Sequence, residues 1–387
     1  AEPHDIGGRM FVFDPETGKV SLVGDLTEAC GEKGKRTIVQ GKSHVNFVEA
    51  DGRLYFATHI GFYSIVDGME TMGVPPAGWG KYPGGHLLAY DLKAGTFEDL
   101  AIAPGGEGVL TMGMDTGRGR IFCLTWPKGE FFRFDLATKD LKSFGKQCAE
   151  GESAKGERYR TICRSIAVDP EDGSAYFSTS EGDILQYRAD TDAVVRVEDD
   201  DLRKDYFGLY DPASPGHMGY NWRQTFYRPK DKMIYGVHGN SGYLFRFDPR
   251  QKRVEVLDRI TSDVSKRSGM FDQFSYGYLG FALGPDGDTI YYLTGGPIYV
   301  DGKRLKGKDR IAMGAAKGLE NLHLVTYHIP TGRRKDQGAI YYPDGERPLY
   351  VNSIAVGHDG SVYSLGRVPD KGRVRADLFR VKGPFEP

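Results

Sequence analysis

Residues 43–59, SHVNFVEADGRLYFATH, consist of a short alternating strand, a turn at Asp51-Gly52 and a second strand. An Asp-Gly turn between alternating strands is typical of a β-hairpin. Similar hairpins recur along the chain, at residues 110–126, 164–179, 223–238, 279–294 and 352–366. This repetition predicts a repeat architecture for the whole chain.

A second kind of hairpin lies between these copies, with an aromatic-rich strand that ends near an Asp. Examples are HLLAYDLKAGTFEDL from residue 86 and YLFRFDPRQKRVEVL from residue 243. The two hairpins together make a four-stranded unit of roughly 40 to 60 residues, which is typical of a propeller blade. We therefore predict an all-β fold, a single β-propeller domain over residues 1–387 whose N- and C-terminal segments pair to close the ring. Seven four-stranded antiparallel blades are the first choice and six are the alternative.

The composition agrees with many strands and tight turns and excludes some partners. The 387 residues include 53 Gly, 23 Tyr and 21 Phe. With 51 basic and 53 acidic residues, the net charge of −2 gives no broad field that would hold nucleic acid or an anionic membrane. No run of about 18 apolar residues is present. We expect a monomer with no nucleic-acid or membrane partner.

The start of the chain and its cysteines bear on the compartment. The chain begins Ala1-Glu2-Pro3-His4, as a secreted chain does after signal cleavage, although a trimmed chain would begin in the same way. We expect a secreted or periplasmic protein. Cys148 and Cys163 flank one polar loop and could form a disulfide; free buried thiols are the alternative.

Antiparallel pairing, extended outward from the turns, brings basic and imidazole side chains to the open end of three hairpins. The predicted facing pairs are His44 with His59, Arg223 with His238, and Arg164 with Thr179. This end of a propeller blade usually carries the binding site. The alternative is that these side chains are exposed on the rim or bond carboxylates across the channel.

Such residues suit elimination beside a uronate carboxylate. Arg neutralises the carboxylate, His or Tyr removes the C5 proton, and a second acid protonates the departing glycosidic oxygen. The candidate catalytic residues are His44, His59 and Tyr220. The candidate substrate-binding residues are Arg164, Arg223, His238, His86, Trp126 and Tyr159.

Other chemistries have less support in the sequence. Hydrolysis by paired carboxylates lacks an Asp or Glu at the calculated positions. A metal-dependent lactonase would need channel carboxylates besides Asn352, and a propeller that only binds glycans or proteins is a further alternative. We predict no required cofactor, with structural Ca²⁺ in the central channel as an option and the metal ligands unknown.

The run GKSHVNFVEADGRLYFATH, followed by GGHLLAYDL, resembles the secreted β-propeller polysaccharide lyases that cleave next to glucuronate. These are the rhamnosyl-glucuronate lyases, formerly grouped with rhamnosidases, and more distantly the ulvan lyases. The resemblance implies a polysaccharide lyase acting on a uronate-containing, possibly rhamnose-linked glycan, with a rhamnosidase-like glycoside hydrolase as the alternative. It also implies that His44 and His59 are the two functional histidines and that Arg164 binds the carboxylate. The specific part covers roughly residues 42–95.

Overall fold

The computed structural model describes residues 4–66, 69–204, 219–238, 241–268, 280–297, 299–300, 303–304, 320–348, 350–351, 353–370 and 373–385. The chain divides into two compact units. The first comprises Ala1–Thr179 and Leu185–Val195, and the second comprises Ser180–Ile184 and Arg196–Pro387.

The first unit begins with a hairpin, β1 (Arg9–Asp14) and β2 (Lys19–Asp25), and a short helix, α1 (Leu26–Ala29). Eight strands follow: β3 (Gln40–Lys42), β4 (Val48–Ala50), β5 (Arg53–Ala57), β6 (His59–Ile60), β7 (Tyr63–Val66), β8 (Met69–Met72), β9 (His86–Asp91) and β10 (Thr96–Ile102). The first four-stranded sheet has the order β4-β5-β9-β10, while β3 pairs with β6 and β7 with β8.

The next two sheets are regular meanders in which each strand pairs with its neighbours in sequence. The second sheet contains β11 (Gly108–Asp115), β12 (Arg120–Trp126), β13 (Glu130–Asp135) and β14 (Leu141–Lys146). The third contains β15 (Ala167–Val168), β16 (Ala175–Ser178), β17 (Ile184–Arg188) and β18 (Ala193–Arg196). Short 3₁₀ turns lie at Pro104–Gly106, Gly151–Ser153 and Gly156–Arg158.

The second unit contains three more sheets. The fourth has β19 (Trp222–Arg228), β20 (Met233–His238), β21 (Tyr243–Asp248) and β22 (Arg253–Arg259), followed by α2 (Asp263–Ser268). The fifth pairs β23 (Phe281–Leu283), β24 (Thr289–Pro297), β27 (Glu320–His328) and β28 (Arg333–Ala339), and the small hairpin β25 (Tyr299–Val300) and β26 (Lys303–Arg304) lies within it in sequence. The sixth has β29 (Tyr350–Val351) and β30 (Ala355–Val356), which both pair with β31 (Val362–Asp370), and β32 (Arg373–Val381).

The described residues thus form six four-stranded antiparallel sheets, and the fold is a six-bladed β-propeller. The all-β prediction is confirmed, and of the two predicted blade numbers six is right. The predicted closure of the ring by the two chain ends stays a prediction. None of the helices in the described ranges is long and apolar enough to cross a membrane.

Near each turn the two strands of a hairpin pair in the predicted register. Towards the other end of the hairpin, bulges and irregular pairing shift this register. In the first sheet Ala50 pairs with Arg53 and Val48 with Tyr55, as the Asp51-Gly52 turn predicts. Further out the predicted facing of His44 and His59 is wrong, because the irregular pairing of β3 with β6 brings Lys42 opposite His59 instead.

A similar irregularity occurs in the fourth sheet. Thr225 pairs with Gly236 as predicted, but a bulge lies between Trp222 and Gln224. The bulge brings Trp222 opposite His238, so the predicted facing of Arg223 and His238 is off by one residue. In the third sheet the pairing of Ala167 with Tyr176 agrees with the predicted register, although the strands end before Arg164.

The core lies between the sheets and consists of apolar and aromatic side chains from the strands. One cluster joins the first two sheets through residues such as Leu87, Val109 and Phe132. Burial of such side chains is the main favourable contribution to folding. All four cysteines are buried thiols outside any disulfide, so the disulfide between Cys148 and Cys163 is not formed.

Candidate active site

The candidate site lies in the first unit, where two glycines let β3 and β6 approach closely. A β-carbon at Gly41 would lie 2.1 Å from the α-carbon of Gly61, so only glycine fits there. The pairing next to this contact brings Lys42 opposite His59. The close contact of the two glycines therefore fixes where along the paired strands the Lys42 and His59 side chains lie.

His44 and His59 lie next to each other although they do not face each other in the register. Their ring centroids are 5.4 Å apart. His44 is half-buried, and its Nδ1 lies 2.9 Å from the Leu110 carbonyl oxygen. Because a carbonyl can only accept, Nδ1 donates and the Nε2 atom of neutral His44 carries the lone pair. This is the tautomer that a general base on Nε2 requires.

His59 lies beneath His44 and is only 2% exposed. The edge of the Trp126 ring packs against it at 5.5 Å between centroids. A β-carbon at Gly108 would lie 2.2 Å from His59 Nδ1, so this glycine makes room for the ring. Among the described residues Nδ1 has no hydrogen-bond partner of ordinary geometry, and the Gly108 backbone, which lies against the ring, favours its protonated form. His59 is therefore a closely packed, buried imidazole, and its predicted catalytic role stays a prediction.

The surroundings of His59 keep it neutral. Burial is the largest cause that lowers the pKa of His59 well below its usual value of 6.5. Lys42 and Arg164, and the His44 ring when it is protonated, act in the same direction. The carboxylates of Glu70 and Glu152 act on the same cluster with the opposite sign, since both raise the pKa of Tyr63. The site thus combines a neutral imidazole with nearby cations and carboxylates.

Tyr63, which the sequence patterns did not single out, belongs to the same cluster. Its ring lies 5.5 Å from Trp126 and 6.1 Å from His59 between centroids. The hydroxyl donates to the Ile60 carbonyl at 2.6 Å, and the Lys42 Nζ atom lies 4.7 Å from the ring centroid. Burial raises the pKa of Tyr63, so its phenol stays protonated at neutral pH.

Glu152 is a second residue that the sequence did not reveal. It lies on the 3₁₀ turn Gly151–Ser153, and its two carboxylate oxygens hold three groups. Oε2 accepts from Trp126 Nε1 at 2.9 Å, while Oε1 accepts from the Ile162 amide at 3.0 Å and lies 2.6 Å from Arg164 Nη2. Through these hydrogen bonds and the ion pair, Glu152 links Trp126 to the segment that contains Ile162 and Arg164.

Tyr159 lies close enough to this ion pair to sense both of its charges. Burial is the largest cause that raises the pKa of the Tyr159 phenol; Glu152 raises it further and Arg164 lowers it. The side chain is half-buried. Tyr159 is thus a protonated phenol beside the ion pair, and the cluster contains five of the predicted site residues: His44, His59, Trp126, Tyr159 and Arg164.

His86 belongs to a different cluster in the first unit. Its Nδ1 lies 2.9 Å from Asp99 Oδ2 and its Nε2 lies 3.0 Å from Glu32 Oε1. Burial opposes its protonation, but hydrogen bonds to Asp99, Cys30 and Glu32 outweigh this effect and raise the pKa of His86 to about 11. The structure therefore makes His86 a charged, fully bonded residue, and its predicted role in substrate binding gains no support.

The other predicted site residues lie in the second unit. Both ring nitrogens of buried His238 are engaged, Nδ1 with Ser241 Oγ at 2.7 Å and Nε2 with the Gly219 carbonyl at 3.0 Å. Arg223 is buried, and Tyr220 is half-buried with its amide bonded to the Ser180 carbonyl. Their part in a site stays a prediction.

Metal binding is also left as a prediction. Among the residues that the structure describes, no group of three or more His, Cys, Asp or Glu side chains could hold a metal ion. The predicted calcium ion in the channel is therefore not tested, and Asn352 lies outside the described residues.

Comparison with known proteins adds the fold but no family. No family model matches the sequence, and no curated protein matches it. Among solved structures, a candidate 6-phosphogluconolactonase from Bacteroides uniformis is similar with a TM-score of 0.54 and 13% identity, over 97% of this chain and 92% of that chain. Another from Bacteroides fragilis has a TM-score of 0.52 and 12% identity, over 97% and 90%.

An oligogalacturonate lyase in complex with manganese is also similar, with a TM-score of 0.45 and 11% identity over 93% of this chain and 78% of that chain. A likeness at this level carries no argument about activity. The two more similar structures, at 13% and 12% identity, show the propeller fold alone.

Proposed function

We propose that the protein is a lyase that cleaves a glycan next to a uronate by β-elimination. The observation that carries this proposal is the His44 ring, which is half-buried, fixed by Leu110 in the tautomer of a base, and set in the same cluster as the basic side chains of Lys42 and Arg164. Removal of a proton next to a carboxylate needs both a base and positive charge for the developing enolate.

In the proposed reaction His44 Nε2 takes the C5 proton of the uronate. The electron pair of the C5–H bond forms the double bond between C4 and C5, and the C4–O bond breaks. Its electron pair leaves with the glycosidic oxygen, which receives a proton from Tyr159. No water is consumed, and the base and acid are restored by proton exchange with solvent.

The charge states at neutral pH suit these roles. Burial raises the pKa of Tyr159, so its phenol carries its proton at neutral pH, the state from which an acid donates; the same shift makes it a weaker acid than an exposed tyrosine. The lowered pKa of His59 means that His59 adds no positive charge beside His44. A protonated His59 would oppose the transfer of a proton to His44. His59 therefore acts as a positioning residue.

Hydrolysis by a carboxylate pair has less support. Glu152 brings a carboxylate to the cluster, but both of its oxygens already accept hydrogen bonds from buried donors. A general acid needs a carboxyl whose proton is held ready for the leaving group. Glu152 instead has the contacts of a fixed anion that orients its neighbours.

A screen of uronate-containing polysaccharides tests the proposal, with rhamnosyl-glucuronate and ulvan oligosaccharides first. The wild type should produce ultraviolet absorbance from an unsaturated product, and His44→Ala should lower the rate by about 10² to 10⁴-fold. His358→Ala is the matched control, because His358 is exposed on a turn of the second unit. Equal rates for His44→Ala and the control would contradict the role of His44.

A further inference from the structure

We propose that Gln40 is a positioning residue of the candidate site, because its buried amide holds the strands that carry Lys42 and His59. This inference rests on the proposed function and names a residue that supports the same site. Gln40 lies on β3, two residues before Lys42, and its side chain is buried. A buried amide is unfavourable unless the protein supplies its hydrogen bonds.

The Gln40 amide makes four hydrogen bonds. Its Nε2 donates to Glu32 Oε2 and to the Gly84 carbonyl oxygen, both at 2.9 Å. Its Oε1 accepts from Thr58 Oγ1 at 2.7 Å and from Tyr82 Oη at 2.6 Å. Because the Gly84 carbonyl can only accept, Nε2 must point towards it, and the amide then uses two donors and two acceptor positions. The Gln40 side chain therefore has one fixed orientation.

Thr58 connects this fixed amide to the next residue along the chain, His59. The Thr58 hydroxyl donates to Gln40 and accepts from the backbone amide of His86 at 2.7 Å. The Thr58 amide donates to the His86 carbonyl oxygen at 2.9 Å, and the Thr58 carbonyl oxygen accepts from the Val109 amide at 3.1 Å. The backbone just before His59 is thus held by β9, by β11 and by the Gln40 side chain.

The pairing of β3 with β6 is too short to fix the position of His59 by itself. In the described chain two residue pairs join these strands, Gln40 with Ile60 and Lys42 with His59, and the register is irregular between them. A two-stranded pairing is marginal in water at best, and register is weakly specified in strands that contain glycine. The hydrogen bonds of the Gln40 side chain supply the restraint that this pairing lacks.

The same hydrogen bonds connect the ion cluster of His86 to the candidate site. Glu32 accepts from Gln40 through Oε2, and its Oε1 lies 3.0 Å from His86 Nε2. The ion cluster and the Gln40 amide are therefore one continuous buried network. A fully bonded network of this kind makes one arrangement of its strands more favourable than any other. His86 thus acts at a distance, by holding the carboxylate to which Gln40 donates.

Loss of this network should displace His59 and with it the His44 ring, whose centroid lies 5.4 Å away. A misplacement of about 1 Å at a reacting group can lower a rate by about 10²-fold. The donors and acceptors of the Gln40 amide are all used within the protein, so Gln40 has none left for a substrate. We therefore expect its loss to lower kcat and to change KM little.

The first test measures the formation of unsaturated product by variants of the network. Gln40→Met and Thr58→Val remove hydrogen bonds at nearly the same side-chain size and should lower kcat by about 10 to 100-fold. Thr58→Ser keeps the hydroxyl and should retain most of the wild-type kcat. Gln186→Met is the matched control, because Gln186 is also a buried strand glutamine, bonded to Ser174 Oγ at 3.0 Å, and its loss should leave kcat unchanged.

The second test requires no reaction. In histidine-labelled protein, a nuclear Overhauser contact between the rings of His44 and His59 should be present in the wild type and in Gln186→Met. It should weaken or vanish in Gln40→Met and Thr58→Val. A residue that only stabilises the fold would leave this contact unchanged in the folded variants.

A weakened ring contact together with a lowered kcat in the network variants supports the assignment of Gln40. An unchanged ring contact in both variants, an unchanged kcat, or the same losses in Gln186→Met overturns it. If Gln40→Met does not fold, Thr58→Val decides by the same criteria. Failure of the wild type to form an unsaturated product overturns the lyase proposal by itself, while the ring contact still decides the role of Gln40.

Discussion

Two buried histidines of the first unit, His59 and His86, show how surroundings determine the role of one residue type. They are 2% and 1% exposed. His59 is buried against aromatic rings near Lys42 and Arg164 and stays neutral, while His86 lies between two carboxylates and stays charged. Neutral His59 belongs to the cluster that suits proton transfer. Charged His86, on β9, holds Asp99 of β10 and Glu32 through ion pairs.

The largest expected effect separates the charged histidine from the candidate site. His86→Ala should lower the free energy of unfolding by about 3 kcal/mol, because it leaves the Glu32 carboxylate buried without its counter-charge. The estimate is at the low end of this class because Asp99 is one-third exposed and therefore partly solvated. Urea unfolding measures the change, and His358→Ala should lie within about 0.5 kcal/mol of the wild type. A loss no larger than in this control would show that the cluster is not an ion network.

The surroundings of His86 show what the hairpin pattern of the sequence predicts and what it does not. The hairpin repeats predicted the propeller, and the Asp51-Gly52 turn predicted the pairing of Ala50 with Arg53. His86 was predicted as a substrate-binding residue, and the strand pattern did not reveal the two carboxylates that hold it. Glu32 lies 54 residues before it, and Asp99 lies 13 residues after it.

The candidate site was predictable in part for the same reason. The pattern placed His44 and His59 together, and their rings are adjacent, although irregular pairing at Gly41 makes Lys42 the direct neighbour of His59. Glu152 lies in an irregular segment after β14 and contacts Trp126 and Arg164 from there, so no strand period points to it. A contact of this kind depends on the course of a loop, which short-range patterns do not encode.

The second expected effect concerns the space around the neutral histidine. In Gly108→Ala the new methyl group would lie 2.2 Å from His59 Nδ1, so the ring or β11 must move. We expect a loss of about 1 to 3 kcal/mol in the free energy of unfolding, typical of overpacking. Gly117→Ala is the matched control, because a β-carbon there meets Asp115 at an ordinary 3.5 Å. If both variants unfold alike, the close packing of His59 is wrong.

The smallest expected effect, at most about 1.4 kcal/mol for a change of one pH unit, is the pH dependence of stability, which should have opposite signs for the two histidines. The pKa of His86 rises on folding from 6.5 to about 11, so its contribution is full below pH 6.5 and is lost as the pH rises towards 11. The pKa of His59 falls on folding, so the unfolded chain takes up its proton first and stability decreases as the pH drops below 6.5.

Single substitutions separate the two declines in stability, the alkaline limb from His86 and the acid limb from His59. His86→Gln should flatten the decline of the free energy of unfolding on the alkaline side, and His59→Gln should flatten the decline on the acid side. Each limb should have a slope of at most about 1.4 kcal/mol per pH unit. Denaturant unfolding across the range from about pH 5 to about pH 10 measures both. Variants that change the same limb would mean that His59 and His86 do not differ in charge state at neutral pH.

The most direct test of the account is the mass of the product formed from a uronate oligosaccharide in ¹⁸O-labelled water. Elimination through His44 predicts that the fragment carrying the uronate at its new non-reducing end is lighter by one water than the hydrolysis product, that cleavage introduces no ¹⁸O into either fragment, and that His44→Ala fails to produce the ultraviolet absorbance. A saturated fragment pair that carries ¹⁸O at the cleaved bond would contradict elimination and identify hydrolysis as the reaction.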